Sequence, residues 1–241
     1  MKVLIVIPCF NEESSINNLL SDFANLNLTD FEITPLPVND CSTDSTKEVL
    51  KKANKPFLDL PVNLGIGGAV QSGYIYAYRN NYDIAVQMDG DGQHPADQLV
   101  KLLSEFKNDK VDVVIGSRFI EKIGFQSSGL RRMGINYFKW LNKLILGIKI
   151  TDSTSGFRAL NRNALAIVSE HYPDTYPEPE ALVIYHLNGL KIKEVPVIMK
   201  NRESGKSSIS SFNNLYYMFK VTMGILFTFI RIKLYGKRHT N

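Results

Sequence analysis

Short apolar runs alternate with longer amphipathic segments through the first half of this 241-residue chain. Four runs have the length and composition of buried strands: residues 3–7, 31–38, 84–88 and 111–116. Four segments show the apolar spacing of helices: about 12–26, 43–53, 66–79 and 96–107. This alternation predicts an α/β fold, a mostly parallel sheet with helices on its faces.

The pattern changes after about residue 117, where a loop rich in Gly and Ser interrupts the alternation. Beyond it the sequence predicts three helices and one strand, near 130–146, 161–170, 180–188 and 190–198. We find no internal repeat and no low-complexity linker. We therefore predict one domain over residues 1–210, followed by an amphipathic, basic tail over 211–241.

The tail contains an apolar segment at about residues 212–232. Its longest uncharged stretch, 221–230, has ten residues, whereas roughly 20 are needed to cross a bilayer. Lys220 and Arg231 flank that stretch. The segment is either a helix lying in a membrane interface or an ordinary amphipathic helix docked on the body or on a second subunit of a homo-oligomer.

Charge is unevenly distributed along the chain. Residues 191–241 carry ten Lys or Arg and two Glu, a net charge of +8, while the whole chain carries +4, so residues 1–190 carry −4. A basic tail on an acidic body indicates a phosphate-rich partner such as a membrane surface or a lipid phosphate, unless the tail is simply solvated. We predict no nucleic-acid partner, because no binding module is recognisable.

Cysteine usage and the first residues bear on the compartment. Cys9 and Cys41 do not make a disulfide framework and fit a reducing environment. Lys2 leads into five apolar residues, too few for a signal peptide. We predict a cytoplasmic protein that associates peripherally with the inner face of the cell membrane.

Polar loops follow the ends of predicted strands, at residues 8–13, 39–44, 63–68 and from Asp89 onwards. Ligands of open α/β sheets bind beyond the carboxyl ends of the strands, so we expect these loops to converge on one site. Asp40 stands at a strand tip, where it can accept hydrogen bonds from a nucleotide base or ribose. Glycines in 63–68 open a helix, and they either admit a phosphate to the backbone or serve close packing.

The turn after residues 84–88 reads Asp-Gly-Asp-Gly-Gln-His, from Asp89 to His94. Two carboxylates two residues apart suit a hard divalent cation such as Mg²⁺ or Mn²⁺. Such an ion neutralises the charge of a departing diphosphate. The alternative is an acidic, Gly-rich turn that binds nothing.

Cations and a carboxylate pair occur in the later loops. Taken singly, the cations are surface charges, but together they are suited to binding phosphate: Arg118, Arg131, Arg132, Arg158, Arg202 and Lys206. Gly205, between Arg202 and Lys206, predicts a mobile lid. Glu178 and Glu180 precede a helix, which favours acidic residues at its start, or one of them is a general base for an acceptor hydroxyl.

Together these motifs resemble family 2 glycosyltransferases of the GT-A type, over about residues 3–209. The resemblance is carried by Ile-Pro-Cys-Phe-Asn-Glu-Glu, by the loop that begins Asn39-Asp40, and by Asp89-x-Asp91. Asp-Gly-Asp-Gly-Gln-His-Pro, Gly-Ser-Arg118, Ser-Gly-Phe-Arg158 and Gly-Lys-Ser-Ser are similar to the dolichyl- or polyprenyl-phosphate sugar synthase branch. The family loop usually reads Asp-Asp, and this chain has Asn39 in the first place.

The resemblance implies a GT-A, Rossmann-like nucleotide-diphospho-sugar transferase fold with a C-terminal amphipathic helix. It implies metal binding by Asp89, Asp91 and Gln93, with Asp91 catalytic. The six cations above would bind donor or acceptor phosphates. The residues implied in nucleotide-sugar binding are Pro8, Phe10, Asn11, Glu12, Asp40, Asn63, Gly67, Asp89 and Gly90.

The reaction implied is sugar transfer, with inversion, from a UDP- or GDP-linked donor. A polyprenyl phosphate acceptor such as undecaprenyl phosphate is already anionic and needs no base. A saccharide hydroxyl, including one on a lipid-linked saccharide, would need Glu178 or Glu180. A third hypothesis is a non-catalytic nucleotide-sugar-binding or scaffold protein, but a scaffold has no need of a metal-bridged diphosphate.

Overall fold

The computed structural model describes residues 1–24, 26, 28–90, 93, 95–108, 110–121, 123, 129–174, 176–199 and 214–235. The strands within this part are β1 Lys2–Cys9, β2 Glu32–Asn39, β3 Leu58–Asp59, β4 Ile84–Gln87, β5 Val113–Ser117, β6 Arg158–Asn161 and β7 Ile192–Pro196. The α-helices are α1 Ile16–Ala24, α2 Thr46–Lys52, α3 Gly65–Arg79, α4 Leu99–Asn108, α5 Gly129–Leu146, α6 Arg162–Glu170, α7 Pro177–Leu187 and α8 Asn214–Tyr235. A short 3-10 helix, Ala96–Gln98, precedes α4.

The strands form one sheet in the order β3-β2-β1-β4-β6-β5-β7. The described pairs are parallel except those of β6, which runs antiparallel to both β4 and β5. The predicted mostly parallel, mixed sheet flanked by helices is therefore confirmed. The sequence does not predict β6, because this strand has four residues and begins with a charged one. β6 is a strand because it pairs with β4 on one side and β5 on the other, and its composition alone does not indicate this.

β1 is apolar from Val3 to Cys9, where both faces of the sheet are covered. Alternate side chains point to opposite faces, so Leu4 and Val6 pack with Tyr74 of α3, while Ile5 packs with Ile16 of α1. Fully burying one such side chain stabilises the fold by roughly 1.5–3 kcal/mol. The buried sheet therefore fixes the position of the polar loops that follow the carboxyl ends of its parallel strands.

One face of α8 docks on the body of the protein. Val221 is buried, and Thr222 shares a hydrogen bond of 2.9 Å with the hydroxyl of Tyr137 in α5. The ring of Tyr217 meets that of Tyr176 edge-on, with centroids 4.5 Å apart. In the part of the chain that the structure describes, no helix has the length and apolarity to span a bilayer. The predicted boundary at residue 210 lies outside the described residues.

Candidate functional site

Asn11 fastens two loops at the carboxyl edge of the sheet to each other. Its backbone is left-handed, with φ of 59°, a region where asparagine is enriched. Its side-chain oxygen accepts from the backbone N–H of Thr43 at 2.9 Å and of Asp44 at 3.4 Å. The N–H of Glu12 donates to the Thr46 hydroxyl at 2.8 Å. The loops after β1 and β2 therefore meet, as predicted.

Asp40 joins the third loop to this corner. Its Oδ1 accepts from the Leu64 N–H at 2.7 Å, and its carbonyl accepts from the Asn63 side chain at 3.0 Å. Burial raises the pKa of the Asp40 carboxyl, while the hydrogen bond from Leu64 opposes that effect. Nucleotide contacts of Asp40 and Asn63 stay a prediction.

Asn39 is explained by its neighbour on the edge strand. Its Nδ2 donates to Asp59 Oδ1 at 2.8 Å, and its Oδ1 accepts from the Ser42 N–H at 3.3 Å. Asp59 also pairs with Lys47 at 2.6 Å. The amide supplies a donor that an aspartate would lack, so the departure from Asp-Asp has a structural cause.

Gly67 packs against the backbone that leads into α7. Its N–H donates to the Asp174 carbonyl at 2.9 Å, and a Cβ at this position would lie 2.0 Å from the Pro173 carbonyl oxygen. Close packing, one of the two alternatives for these glycines, is therefore observed. The nucleotide role of Gly67 stays a prediction.

Asp89 lies between the first loop and the turn that precedes β6. A Cβ on Gly90 would lie 3.2 Å from the Pro8 carbonyl oxygen, and one on Gly156 would lie 3.2 Å from Asp89 Oδ1. Asp91 and His94 lie outside the described residues, and Gln93 is half-buried. Among the residues described, no cluster of three or more His, Cys, Asp or Glu forms a metal site. The metal site therefore stays a prediction.

Glu178 approaches Asp89 from the first turn of α7. Gln87 Nε2, at the end of β4, donates to Glu178 Oε1 at 3.5 Å. Burial raises the pKa of Glu178, Arg158 opposes this, and Asp89 adds to it. Two carboxylates thus lie at one corner of the sheet edge, and carboxylate oxygens are the ligands that hard divalent cations take.

Glu180 faces α8. The sequence predicts either Glu178 or Glu180 as the general base, but the side chain of Glu180 is directed away from Asp89, so that prediction is corrected for Glu180. Its Oε1 accepts from the Thr228 hydroxyl at 2.6 Å, and a Cβ on Gly224 would lie 2.6 Å from its Oε2. Glu178 and Glu180 are two residues apart on α7 and therefore point to different sides of the helix. Which of them faces the site depends on the residue at which the helix begins.

Two arginines predicted to bind phosphate are engaged inside the protein. Arg118 is 7% exposed, and its Nε and Nη2 pair with the two oxygens of Asp152 at 2.7 and 2.8 Å. Arg158 is fully buried and donates to the carbonyls of Ser155 and Ser153 at 2.7 and 3.0 Å. Arg158 therefore does not line a ligand surface, and for Arg118 the phosphate role stays a prediction.

The remaining predicted residues are less constrained. Phe10 and Arg132 are exposed, and their ligand roles stay predictions. The side chain of Arg131 and all of Arg202 and Lys206 lie outside the described residues, as does the lid predicted around Gly205.

The structure adds Gln87, Asp152 and Gly156 to the site. Gln87 carried a signal in the sequence, because it is a polar residue in an apolar run and lies two residues before Asp89. Asp152 and Gly156 carried none, since their partners Arg118 and Asp89 are more than 30 residues away along the chain.

A family model described as glycosyl transferase family 2 matches residues 4–167. The chain belongs to glycosyl transferase family 2. A UDP-N-acetylglucosamine–dolichyl-phosphate N-acetylglucosaminyltransferase of Methanococcus voltae is 31% identical to this glycosyltransferase, over 92% of this chain and 96% of the relative. An undecaprenyl-phosphate mannosyltransferase of Micrococcus luteus is 32% identical, over 87% and 88%. The resemblance to the polyprenyl-phosphate branch and the prediction of a glycosyltransferase enzyme are thus confirmed.

Solved structures confirm the fold of this glycosyltransferase. Glucosyl-3-phosphoglycerate synthase from Mycobacterium tuberculosis, in complex with Mn²⁺, UDP and phosphoglyceric acid, matches with a TM-score of 0.67 and 19% identity, over 95% of this chain and 77% of that one. At that identity the match supports the GT-A fold alone.

Proposed function

We propose that this glycosyltransferase moves a sugar, with inversion, from a nucleoside diphosphate sugar to a polyprenyl phosphate at a membrane surface. The supporting observation is the outer side of two neighbouring helices, α5 and α8. Together they carry seven Lys or Arg and not one Asp or Glu. The M. voltae and M. luteus relatives carry dolichyl phosphate and undecaprenyl phosphate in their names.

The α5–α8 surface, as we name it, is both apolar and basic. Its exposed apolar side chains are Met133, Trp140, Leu144, Tyr216, Phe219, Phe227, Ile230 and Leu234. Its exposed cations are Arg132, Lys143, Lys220, Arg231 and Lys233. Aromatic and aliphatic groups among cations are typical of helices lying in the interface of an anionic bilayer. A lipid phosphate presented at that interface would lie close to the enzyme that uses it.

Asp89, Asp91 and Gln93 are proposed to hold Mg²⁺ or Mn²⁺, since carboxylate and amide oxygens are the ligands that such hard cations take. A bound ion would supply charge neutralisation for the departing diphosphate. The joined loops at Asn11, Asp40 and Asn63 would bind the nucleotide. A phosphate acceptor is already ionised, so this reaction needs no general base.

The direct test is transfer of radiolabel from UDP-N-acetylglucosamine, and from a panel of UDP and GDP sugars, to undecaprenyl or dolichyl phosphate in detergent with Mn²⁺. We expect label in the lipid phase, and chelation of the metal should abolish it. Release of nucleotide without any lipid-phase product from the whole panel would contradict the lipid acceptor.

The position of Glu178 beside Asp89 favours a second candidate, transfer to a saccharide hydroxyl with Glu178 as base. Losing a general base costs about 10²–10⁴-fold in rate. If the acceptor is a lipid phosphate, which needs no base, the rate of Glu178→Gln should therefore fall by much less than about 10²-fold. Glu180→Gln is the matched control, because Glu180 faces α8. The second candidate would be favoured if the wild-type enzyme glycosylates a saccharide and Glu178→Gln lowers the rate of that reaction by about 10²–10⁴-fold.

A further inference from the structure

Arg158 is the largest fully buried side chain in the described part of the protein. A buried guanidinium requires strong compensation, so its surroundings should reveal its purpose. It stands at the start of β6, directly across from Gln87 of β4. Side chains at paired positions lie on one face of a sheet, which places Arg158 beneath the corner formed by Gln87 and Glu178.

Two of its nitrogens hold the turn that leads into β6. Nε donates to the Ser155 carbonyl at 2.7 Å, and Nη2 donates to the Ser153 carbonyl at 3.0 Å. Arg118 donates two further hydrogen bonds to the carboxylate of Asp152, the residue before Ser153. The turn from 152 to 155 is therefore held at the Asp152 carboxylate by Arg118, which follows β5, and at two carbonyls by Arg158, which begins β6.

This turn sets Gly156 against the acidic corner. A Cβ on Gly156 would lie 2.9 Å from Gln87 Nε2 and 3.2 Å from Asp89 Oδ1, so an added side chain would displace either the turn or the ends of those two side chains. Any shift of the carbonyls that Arg158 holds would move Gly156 relative to the Asp89 carboxylate.

The guanidinium also interacts electrostatically with Tyr172, which precedes α7, and with Tyr185 and Glu178 of α7, while its Nη1 is buried without a hydrogen-bond partner among the described residues. Burial lowers the pKa of Arg158, but Tyr185, Tyr172 and Glu178 together outweigh burial, so its pKa is raised and the side chain stays charged. That charge in turn opposes the effect of burial on the pKa of Glu178. Arg158 thus supports the corner from below by contact and by charge.

We propose that Arg158 is a positioning residue of the active site, which fixes the 153–156 turn and thereby holds Gly156 against Asp89. This inference rests on the proposed metal role of Asp89. It predicts that Arg158 influences the site without touching donor, acceptor or metal.

The test is Arg158→Lys, which keeps the charge but cannot span both carbonyls. Two readouts are needed: hydrogen exchange of the 152–158 peptide in the metal-free protein, and Mn²⁺ binding in the presence of UDP by electron paramagnetic resonance. We expect faster exchange in that peptide and affinity weakened by about 10- to 100-fold, the usual effect of residues that support metal ligands. Both are measured far below the unfolding temperature, so a lowered melting point alone does not produce them.

Arg162→Lys is the matched control. Arg162 donates to the Tyr78 carbonyl at 3.3 Å and to the Asn81 side chain at 2.8 Å, both outside the acidic corner. It should leave exchange and affinity unchanged. Wild-type exchange and affinity in folded Arg158→Lys would overturn the proposal.

If Arg158→Lys does not fold, Gly156→Ala takes its place, because the added methyl must displace either the turn or the ends of the Gln87 and Asp89 side chains while Arg158 is kept. Weakened Mn²⁺ affinity together with faster exchange of the 152–158 peptide would support positioning by this turn. Wild-type affinity, or weakened affinity without faster exchange, would refute it. Neither readout involves an acceptor, so failure of lipid transfer by the wild-type enzyme would count against the proposed function alone.

Discussion

At the scale of residues, the loops of the site are set by side-chain hydrogen bonds to backbone groups and to other side chains. Asn11 and Asp40 each bind a neighbouring loop through such bonds, and Asn39 binds the edge strand β3. Side chains of this kind favour irregular backbone over helix or strand, which suits loops that must keep one shape. Substitutions among them should therefore act on stability first.

Asn39→Asp restores the Asp-Asp pair usual in the family and should destabilise this protein. The new carboxylate would face Asp59 without a proton to donate, a loss of about 1–3 kcal/mol for a buried, unpaired group. Urea unfolding at neutral pH measures the difference. Asn18→Asp, at an exposed position of α1, is the control. The penalty should shrink in acid, where the carboxyl regains a proton, and a variant as stable as wild type at pH 7 would contradict this account of Asn39.

At the scale of elements, β1, β2, β4 and β5 were predictable from their apolar runs. β6 was not, since its partners β4 and β5 determine it and its own residues do not. The same applies to the site: Asp89 follows a recognisable strand, whereas the burial of Arg158 depends on pairing with Gln87 across the sheet. Glu178 and Glu180 could not be told apart, because the residue at which α7 begins fixes which of them faces the sheet.

The α7–α8 contact should make stability depend on pH through Glu180. Burial raises the pKa of Glu180, while Thr228 and Arg231 oppose this and Asp174 adds to it. A carboxyl with a raised folded pKa favours the fold fully while protonated, below about pH 4.3, and that contribution is lost as pH rises through the folded value. Glu180→Gln cannot ionise at this position and so does not lose this stability as the pH rises. Its melting temperature relative to wild type should therefore climb from pH 4 to pH 7, and a constant difference would contradict the buried placement.

The α5–α8 surface should bind anionic bilayers. Trp140→Ala combined with Phe227→Ala should weaken sedimentation with vesicles of phosphatidylglycerol and phosphatidylcholine by at least about tenfold, since each buried side chain contributes roughly 1.5–3 kcal/mol. Val100→Ala, at an exposed site on α4, should have no effect. Equal binding by the double variant, or no preference of the wild type for anionic vesicles, would contradict the role of this surface.

At the scale of the whole molecule, one edge of the sheet gathers Asp89, Glu178 and the loops of Asn11, Asp40 and Asn63, while α5 and α8 present an apolar and basic exterior. These parts come from distant stretches of chain, and the order of the strands brings them together. We propose a division of labour on this basis, in which the sheet edge would bind the donor and the two helices would bring the enzyme to its acceptor.

The decisive measurement for metal-assisted donor binding is a crystal structure with Mn²⁺ and UDP. We expect one anomalous manganese peak at the turn of Asp89, Asp91 and Gln93, with the diphosphate of UDP beside it and the nucleoside against the loops of Asn11 and Asp40. UDP bound at another face of the protein, or a manganese-free turn with its carboxylates directed away from the nucleotide, would contradict it.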